Sequence, residues 1–118
     1  MTVEVFFYPK CGTCRSALKW LDAHGVAYQA TDVWVAPPPA SKLAELHLRS
    51  GLPIARFFNT SGEHYRAGGF KEKLKTLSHR EALAELAKDG KLLKRPIVDA
   101  GETVLVGFDQ NAYAAAFR

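Results

Sequence analysis

Both cysteines of the 118-residue chain lie in one segment, Cys11-Gly12-Thr13-Cys14. A pair at this spacing can form half of a zinc site, lie buried and inert, or exchange electrons through a reversible disulfide. Zinc needs four ligands, and the sequence offers no second C-x-x-C and no histidine pair at ligand spacing. Inert thiols would be expected on the apolar face of a helix, whereas this pair precedes one. We therefore favour a redox dithiol and keep the zinc site and the inert thiols as alternatives.

The two cysteines are expected to have different roles. A helix predicted to begin at Cys11 would place that thiol at the positive end of the helix dipole, which favours a thiolate. Lys10 and Arg15 add positive charge nearby. Cys11 is therefore the predicted nucleophile, and Cys14, about one turn further along, is the predicted resolving cysteine. The small Gly12-Thr13 pair would let a bulky disulfide or an anion reach Cys11.

Hydrophobic periodicity and turn residues predict the elements that position this dithiol. A strand, a helix and a second strand over residues 1–35 form a βαβ unit, helices follow, and two strands and a helix end the chain. This order predicts an α/β, thioredoxin-like fold with a four-stranded mixed sheet and a helical insertion at about 38–91, as a single domain over 1–118. The predicted strands are Thr2–Tyr8, Val26–Trp34, Leu92–Val98 and Thr103–Val106; the predicted helices are Cys11–His24, Ser41–Ser50, Pro53–Phe58, Phe70–Leu77, Ser78 to about Lys88, and one starting at Asp109.

Composition excludes several classes of protein. Hydrophobic residues make up 47% of the chain, which is too many for a disordered protein. No apolar stretch approaches the ~18 residues of a membrane span, and the sequence opens without the features of a secretory signal, so we expect a cytoplasmic protein. Residues 66–95 carry nine basic and four acidic side chains. Because these alternate as on a solvated helix, with no nucleic-acid-binding motif, we expect no direct nucleic-acid binding and no membrane partner.

Four segments carry a resemblance to a known family: Tyr8–Arg15, Phe58–Ser61 together with Tyr65-Arg66, Leu93–Ile97 and Val106–Phe108. They occur in order over essentially the whole chain and resemble the arsenate reductase (ArsC)/Spx family, most of all its Spx-like C-x-x-C members of unassigned role. The resemblance implies the same thioredoxin-like fold with a helical insert. It also implies that Arg95-Pro96 stands beside the cysteine loop, with Pro96 in the cis conformation.

The resemblance implies two alternative functions. One is a thiol-disulfide redox protein in which Cys11 attacks, Cys14 resolves and Arg15 and Arg95 hold the thiolate or an anionic group. Such a protein binds no cofactor or metal, acts as a monomer, and takes electrons from thioredoxin or from glutathione/glutaredoxin. The other is an Spx-type, redox-switched transcriptional regulator that binds the RNA polymerase α subunit.

The resemblance also bears on the substrate. Gly12, Thr13, Asn59 and Pro96 are the expected substrate-positioning residues. Glutaredoxin-dependent arsenate reductases bind the oxyanion with three arginines, and Arg95 matches one of them. Asn59 and Gly107 stand at the other two positions and cannot supply a guanidinium. This departure argues against arsenate as the substrate.

Overall fold

A computed structural model describes residues 3–117, so the predicted strand start at Thr2 lies outside the described residues. The chain divides into two compact units, one of residues 3–32 with 95–117 and one of Val33–Lys94. The predicted insertion at about 38–91 falls within the second unit. None of the helices in residues 3–117 combines the length and apolar character needed to cross a bilayer. In chain order the elements are β1 (Val3–Phe7), α1 (Gly12–Ala23), β2 (Tyr28–Asp32), α2 (Ala40–Ser50), α3 (Glu63–Ala67), α4 (Phe70–Lys73), α5 (His79–Lys88), β3 (Ile97–Asp99), β4 (Val104–Val106) and α6 (Gln110–Ala116).

The first unit contains a mixed four-stranded sheet in the order β2-β1-β3-β4. Strand β1 runs parallel to β2 and antiparallel to β3, and β3 runs antiparallel to β4. Val5 and Phe6 are both buried, as expected for a strand inside the sheet and covered on both faces. The observed topology confirms the predicted α/β fold with a four-stranded mixed sheet.

Helix α1 packs on this sheet through one apolar face. Ala17 and Leu21 are fully buried and Trp20 is nearly so, at the spacing of a single helix face. They belong to one core cluster with Val5 and with Tyr113 of α6. This packing fixes the start of α1, where both cysteines lie, against the end of β1.

The second unit is helical apart from an isolated bridge, and α2 packs against α5 within it. A capping box starts α5, where the sequence predicts a helix from Ser78: Ser78 Oγ accepts the Glu81 N–H at 3.1 Å, and the Glu81 carboxylate accepts the Ser78 N–H at 2.9 Å. Leu46 on α2 is buried, whereas Leu48 is 82% exposed. Two residues turn an α-helix by about 200°, so Leu48 points away from the face that carries Leu46.

Several boundaries differ from the sequence prediction. Strand β2 spans Tyr28–Asp32 rather than Val26–Trp34, and the helix predicted over Pro53–Phe58 is a 3-10 helix over Ile54–Phe57. The strand predicted over Leu92–Val98 is limited to Ile97–Asp99 in the sheet, because Pro96 has no N–H to donate to a ladder. A 3-10 turn, Gly90–Leu92, precedes it, and the Asp89 carboxylate accepts the Lys91 N–H at its start. The helix predicted to reach Leu77 ends at Lys73, and α3 was not predicted.

Candidate functional site

Cys11 lies where the chain leaves β1 and enters α1. Its backbone has the extended conformation of a helix N-cap, with φ −87° and ψ 120°. Its N–H donates to the Tyr8 carbonyl at 3.0 Å, and its carbonyl accepts the Arg15 N–H at 3.0 Å as the first turn of α1 closes. The thiol is free and half-buried. A reacting group can therefore approach Cys11 at the positive end of the helix dipole.

Cys14 lies one turn along α1 and is also a free thiol. Its side chain is fully buried, with an exposed fraction of 0%, on the same helix face as Ala17 and Leu21. The expectation that both cysteines precede the helix is therefore wrong for Cys14, because α1 already begins at Gly12. The pair thus combines one accessible and one inaccessible sulfur on the same turn. This is the arrangement expected of a nucleophile and its resolving partner.

The pKa of the Cys11 thiol lies below its ordinary value. Partial burial acts in the opposite direction, but polar contacts with the backbone N–H and the thiol of Cys14 and the positive charge of Arg95 together outweigh it. Each of these interactions stabilises the thiolate more than the thiol. Cys11 therefore has the electrostatic surroundings of a reactive cysteine.

Burial raises the pKa of the Cys14 thiol to about 12. A polar contact with the backbone of Tyr8 lowers it, the neighbouring Cys11 sulfur raises it, and the Arg95 charge lowers it by a smaller amount. Cys14 is therefore a protonated thiol at neutral pH. The two cysteines are three residues apart, yet their environments shift their pKa values in opposite directions.

Arg95 reaches the dithiol from the chain segment just before β3. The antiparallel register pairs Phe6 with Ile97, so Tyr8 and Arg95, two residues further out on each strand, leave the sheet at the same end. The Arg95 guanidinium lies over the Tyr8 ring, 5.6 Å from its centroid, and the Nε and Nη1 atoms are buried. The peptide bond between Arg95 and Pro96 is cis, as the resemblance implied.

Gly107 links the proline segment to α6. Its N–H donates to the Pro96 carbonyl at 2.8 Å, and its carbonyl accepts the Tyr113 hydroxyl at 2.9 Å. Gly107 has a φ of 81°, a conformation that favours glycine. An arginine at this position would therefore be strained, in addition to being absent from the sequence.

Tyr113 is a residue of the site that the sequence prediction missed. Its ring packs edge-to-face on Trp20 and Phe108 and is almost fully buried. Burial raises the pKa of its hydroxyl, and the charge of a Cys14 thiolate raises it further. Tyr113 thus lies close enough to Cys14 for the charges of the two groups to interact. The only sequence signal was a single tyrosine among the alanines of the terminal helix.

The other predicted site residues have different locations. Gly12, Thr13 and Arg15 are exposed on the first turn of α1, and a Cβ added at Gly12 would meet nothing within 4 Å. Asn59 belongs to the second unit, where its N–H donates to the Leu92 carbonyl at 2.7 Å. The parts assigned to Asn59 and Arg15 in the reaction stay predictions. Within residues 3–117, no cluster of three or more histidine, cysteine or acidic side chains could hold a metal ion.

A four-stranded mixed sheet that presents a dithiol at the start of its first helix defines a thioredoxin-like protein. The sequence pattern of the ArsC family matches residues 6–116, and the chain belongs to that family.

Three proteins show how far the similarity of this chain extends. The uncharacterized protein YusI of Bacillus subtilis is 45% identical over 113 residues, covering 96% of each chain. A crystal structure described as a possible arsenate reductase from Streptococcus mutans has a TM-score of 0.89 and 40% identity, and the match covers 98% of each chain. The global transcriptional regulator Spx of Streptococcus mutans is 24% identical over 113 residues, covering 96% of this chain and 81% of Spx.

Proposed function

We propose that this protein is a thiol-disulfide redox protein in which Cys11 is the nucleophile and Cys14 is the resolving cysteine. The observation that carries the proposal is the contrast between the two sulfurs. Cys11 is accessible at the N-terminal end of α1 with Arg95 beside it, and Cys14 is buried one turn further along. Membership of the ArsC family is consistent with such a role.

The proposed reaction has two exchange steps. The Cys11 thiolate attacks one sulfur of a substrate disulfide, a mixed disulfide forms, and the other substrate sulfur leaves as a thiolate. Cys14 then gives its proton to solvent or to that thiolate and attacks the Cys11 sulfur, which releases the second substrate sulfur. The protein dithiol is oxidised by two electrons to the Cys11–Cys14 disulfide, and the substrate disulfide is reduced to two thiols.

The high pKa of Cys14 suits the order of these steps. While Cys11 is a thiolate, its charge helps to keep Cys14 protonated. Once Cys11 has entered a mixed disulfide, that charge is gone, whereas Arg95 remains to stabilise a thiolate at Cys14. Cys14 therefore becomes easier to ionise only after the first step has occurred.

The protein must be reduced again after each turnover. We propose thioredoxin or glutathione/glutaredoxin as the electron donor, and a monomer in the cytoplasm as the working state, because that compartment keeps exposed thiols reduced. Oxidised glutathione and small protein disulfides fit the proposed chemistry better than arsenate, since Asn59 and Gly107 supply no guanidinium for an oxyanion.

Trapping of the mixed disulfide tests the mechanism. The reduced Cys14→Ser variant, incubated with oxidised glutathione, is expected to accumulate glutathione on Cys11, because no second thiol remains to release it. The matched Cys11→Ser variant is expected to stay unmodified, since its remaining thiol is buried and protonated. Intact mass and peptide mapping measure both outcomes. Equal trapping by the two variants, or trapping by neither, would contradict the mechanism.

A redox-switched regulator is the second candidate. It is favoured by the alignment of Spx over 96% of this chain, together with the dithiol. In this case the Cys11–Cys14 disulfide would change the start of α1 and thereby the affinity for the C-terminal domain of the RNA polymerase α subunit.

Binding to that domain separates the two candidates. A regulator is expected to bind the purified α C-terminal domain in one redox state and at least about tenfold more weakly in the other, measured by calorimetry. The Cys11→Ser/Cys14→Ser double variant, which cannot form the disulfide, serves as the control and should behave the same under oxidising and reducing conditions. The absence of binding in both states would exclude the regulator.

A further inference from the structure

Tyr8 contacts all three of the groups that define the dithiol site. Its carbonyl accepts the Cys11 N–H at 3.0 Å, and its backbone makes a polar contact with the Cys14 thiol. Its ring lies under the Arg95 guanidinium, 5.6 Å from centroid to Cζ. The backbone contacts are available to any residue, but the contact with Arg95 requires an aromatic ring.

We propose that the aromatic ring of Tyr8 is a positioning group that holds the Arg95 guanidinium beside the Cys11 sulfur. The ring thereby sets how readily Cys11 forms a thiolate. This inference rests on the proposed function, because it assigns a residue to the reactivity of the same nucleophile.

The geometry of the ring and the cation supports this role. The negative face of an aromatic ring attracts a guanidinium that lies within about 6 Å of its centroid. The attraction is stronger where water is excluded, and Nε and Nη1 of Arg95 are buried. The sheet register brings the two side chains to the same end of β1 and β3, so the contact follows from the fold.

Holding Arg95 in place matters because an arginine side chain is long and flexible. Fixing such a side chain costs conformational entropy, which a contact with the ring can offset. Without the ring, the guanidinium would spend part of its time away from the Cys11 sulfur. Its stabilisation of the thiolate would fall in proportion.

The other titratable groups near Cys11 do not replace this contact. Cys14 and Arg95 make the polar contacts that lower the pKa of Cys11. Lys10 and Arg15 are neighbours along the chain, and both are exposed to solvent, which screens their charges. Tyr113 interacts with Cys14 rather than Cys11, and its hydroxyl, whose pKa burial raises, stays neutral across the physiological range. Arg95 is therefore the cation through which the ring of Tyr8 would act.

The pH profile of Cys11 alkylation by iodoacetamide tests the proposal in the full-length reduced protein. On the rising part of the profile, where the rate follows the thiolate fraction, Tyr8→Leu is expected to slow alkylation about threefold. Tyr8→Phe is expected to retain the wild-type profile, because a phenyl ring keeps the negative face. Tyr65→Leu, which removes a tyrosine of the second unit, is the matched control and should have no effect. Where Tyr8→Leu does not fold, Tyr8→Met, which keeps apolar bulk without a ring, takes its place.

A double-mutant cycle shows whether Tyr8 acts through Arg95. Arg95→Met is expected to slow alkylation at least as much as Tyr8→Leu does, and adding Tyr8→Leu to Arg95→Met should cause no further loss. An equal threefold loss in both backgrounds would overturn the proposal, as would a Tyr8→Phe variant as slow as Tyr8→Leu. The outcome is separate from that of glutathione trapping. If the effect of Tyr8→Leu depends on Arg95 but no glutathione is trapped, the role of Tyr8 stands and the exchange mechanism is rejected. If glutathione is trapped but the effect of Tyr8→Leu does not depend on Arg95, the exchange mechanism stands and the role of Tyr8 is rejected.

Discussion

A short pulse of iodoacetamide at pH 7 is expected to modify Cys11 and leave Cys14 intact. The pKa of Cys14 is about 12, so roughly one molecule in 10⁵ carries its thiolate at neutral pH. The pKa of Cys11 lies below its ordinary value of 9.0, so its thiolate is at least about 10³-fold more abundant. A more basic thiolate is intrinsically the better nucleophile, so each Cys14 thiolate would react up to about 30 times faster than a Cys11 thiolate. The net preference for Cys11 is thus at least about thirtyfold, and burial of Cys14 increases it further.

Peptide mapping by mass spectrometry measures this selectivity directly. Cys14→Ser should leave a single fast phase, while Cys11→Ser should remove the fast phase. Raising the pH should increase the modification of Cys14, because its thiolate fraction grows tenfold per pH unit below its pKa. In 6 M guanidinium the selectivity should vanish, since unfolding removes both the burial and the contact with Arg95. Comparable rates for the two cysteines in the folded protein would show that the assigned roles are wrong.

The position of the two thiols between a strand and a helix could be predicted from local sequence. Both cysteines, the strand before them and the helix after them lie within the first 24 residues, and each element has a recognisable pattern. The prediction that the pair starts a helix required no long-range contact. The difference in burial between Cys11 and Cys14 followed from their positions on the first turn.

The presence of Arg95 at the dithiol site could not be predicted from local sequence. It lies about 80 residues beyond Cys14, and no local pattern distinguishes it from the other basic residues between 66 and 95. The pairing of β1 with β3 brings it to the dithiol, and that register depends on packing across the whole sheet. Only the resemblance to a family supplied Arg95 and the cis bond before Pro96. The contacts of Tyr8 with Arg95 and of Tyr113 with Trp20 were missed for the same reason, since each joins elements distant in sequence.

The predicted helix boundaries in the second unit were wrong for a different reason. Short helices such as α3 and α4 have few residues from which a period can be recognised. The turn after α5 depends on Asp89, whose carboxylate accepts the Lys91 N–H and also contacts Nδ1 of His64 at 2.5 Å. Side-chain contacts of this kind decide local conformation without leaving a hydrophobic pattern in the sequence.

Gly90→Ala is expected to destabilise the protein strongly. Gly90 is buried at the start of the 3-10 turn after α5. A Cβ added there would lie 1.8 Å from the carbonyl oxygen of Val33 and 2.7 Å from its carbonyl carbon. Both atoms belong to the backbone, so relief requires a displacement of the chain rather than a change of rotamer. Overpacking of a core costs about 1–3 kcal/mol and occasionally more, and this contact belongs at the upper end, about 3 kcal/mol.

Urea unfolding followed by circular dichroism measures the change against a matched glycine. Gly12→Ala adds the same methyl group where nothing lies within 4 Å, so its free energy of unfolding should stay within about 0.5 kcal/mol of the wild type. Small domains are stable by about 5–15 kcal/mol, so a loss of about 3 kcal/mol would shift the midpoint clearly without abolishing folding. A Gly90→Ala variant as stable as Gly12→Ala would mean that the Val33 backbone yields easily. The close approach of these two segments would then not be what requires a glycine at position 90.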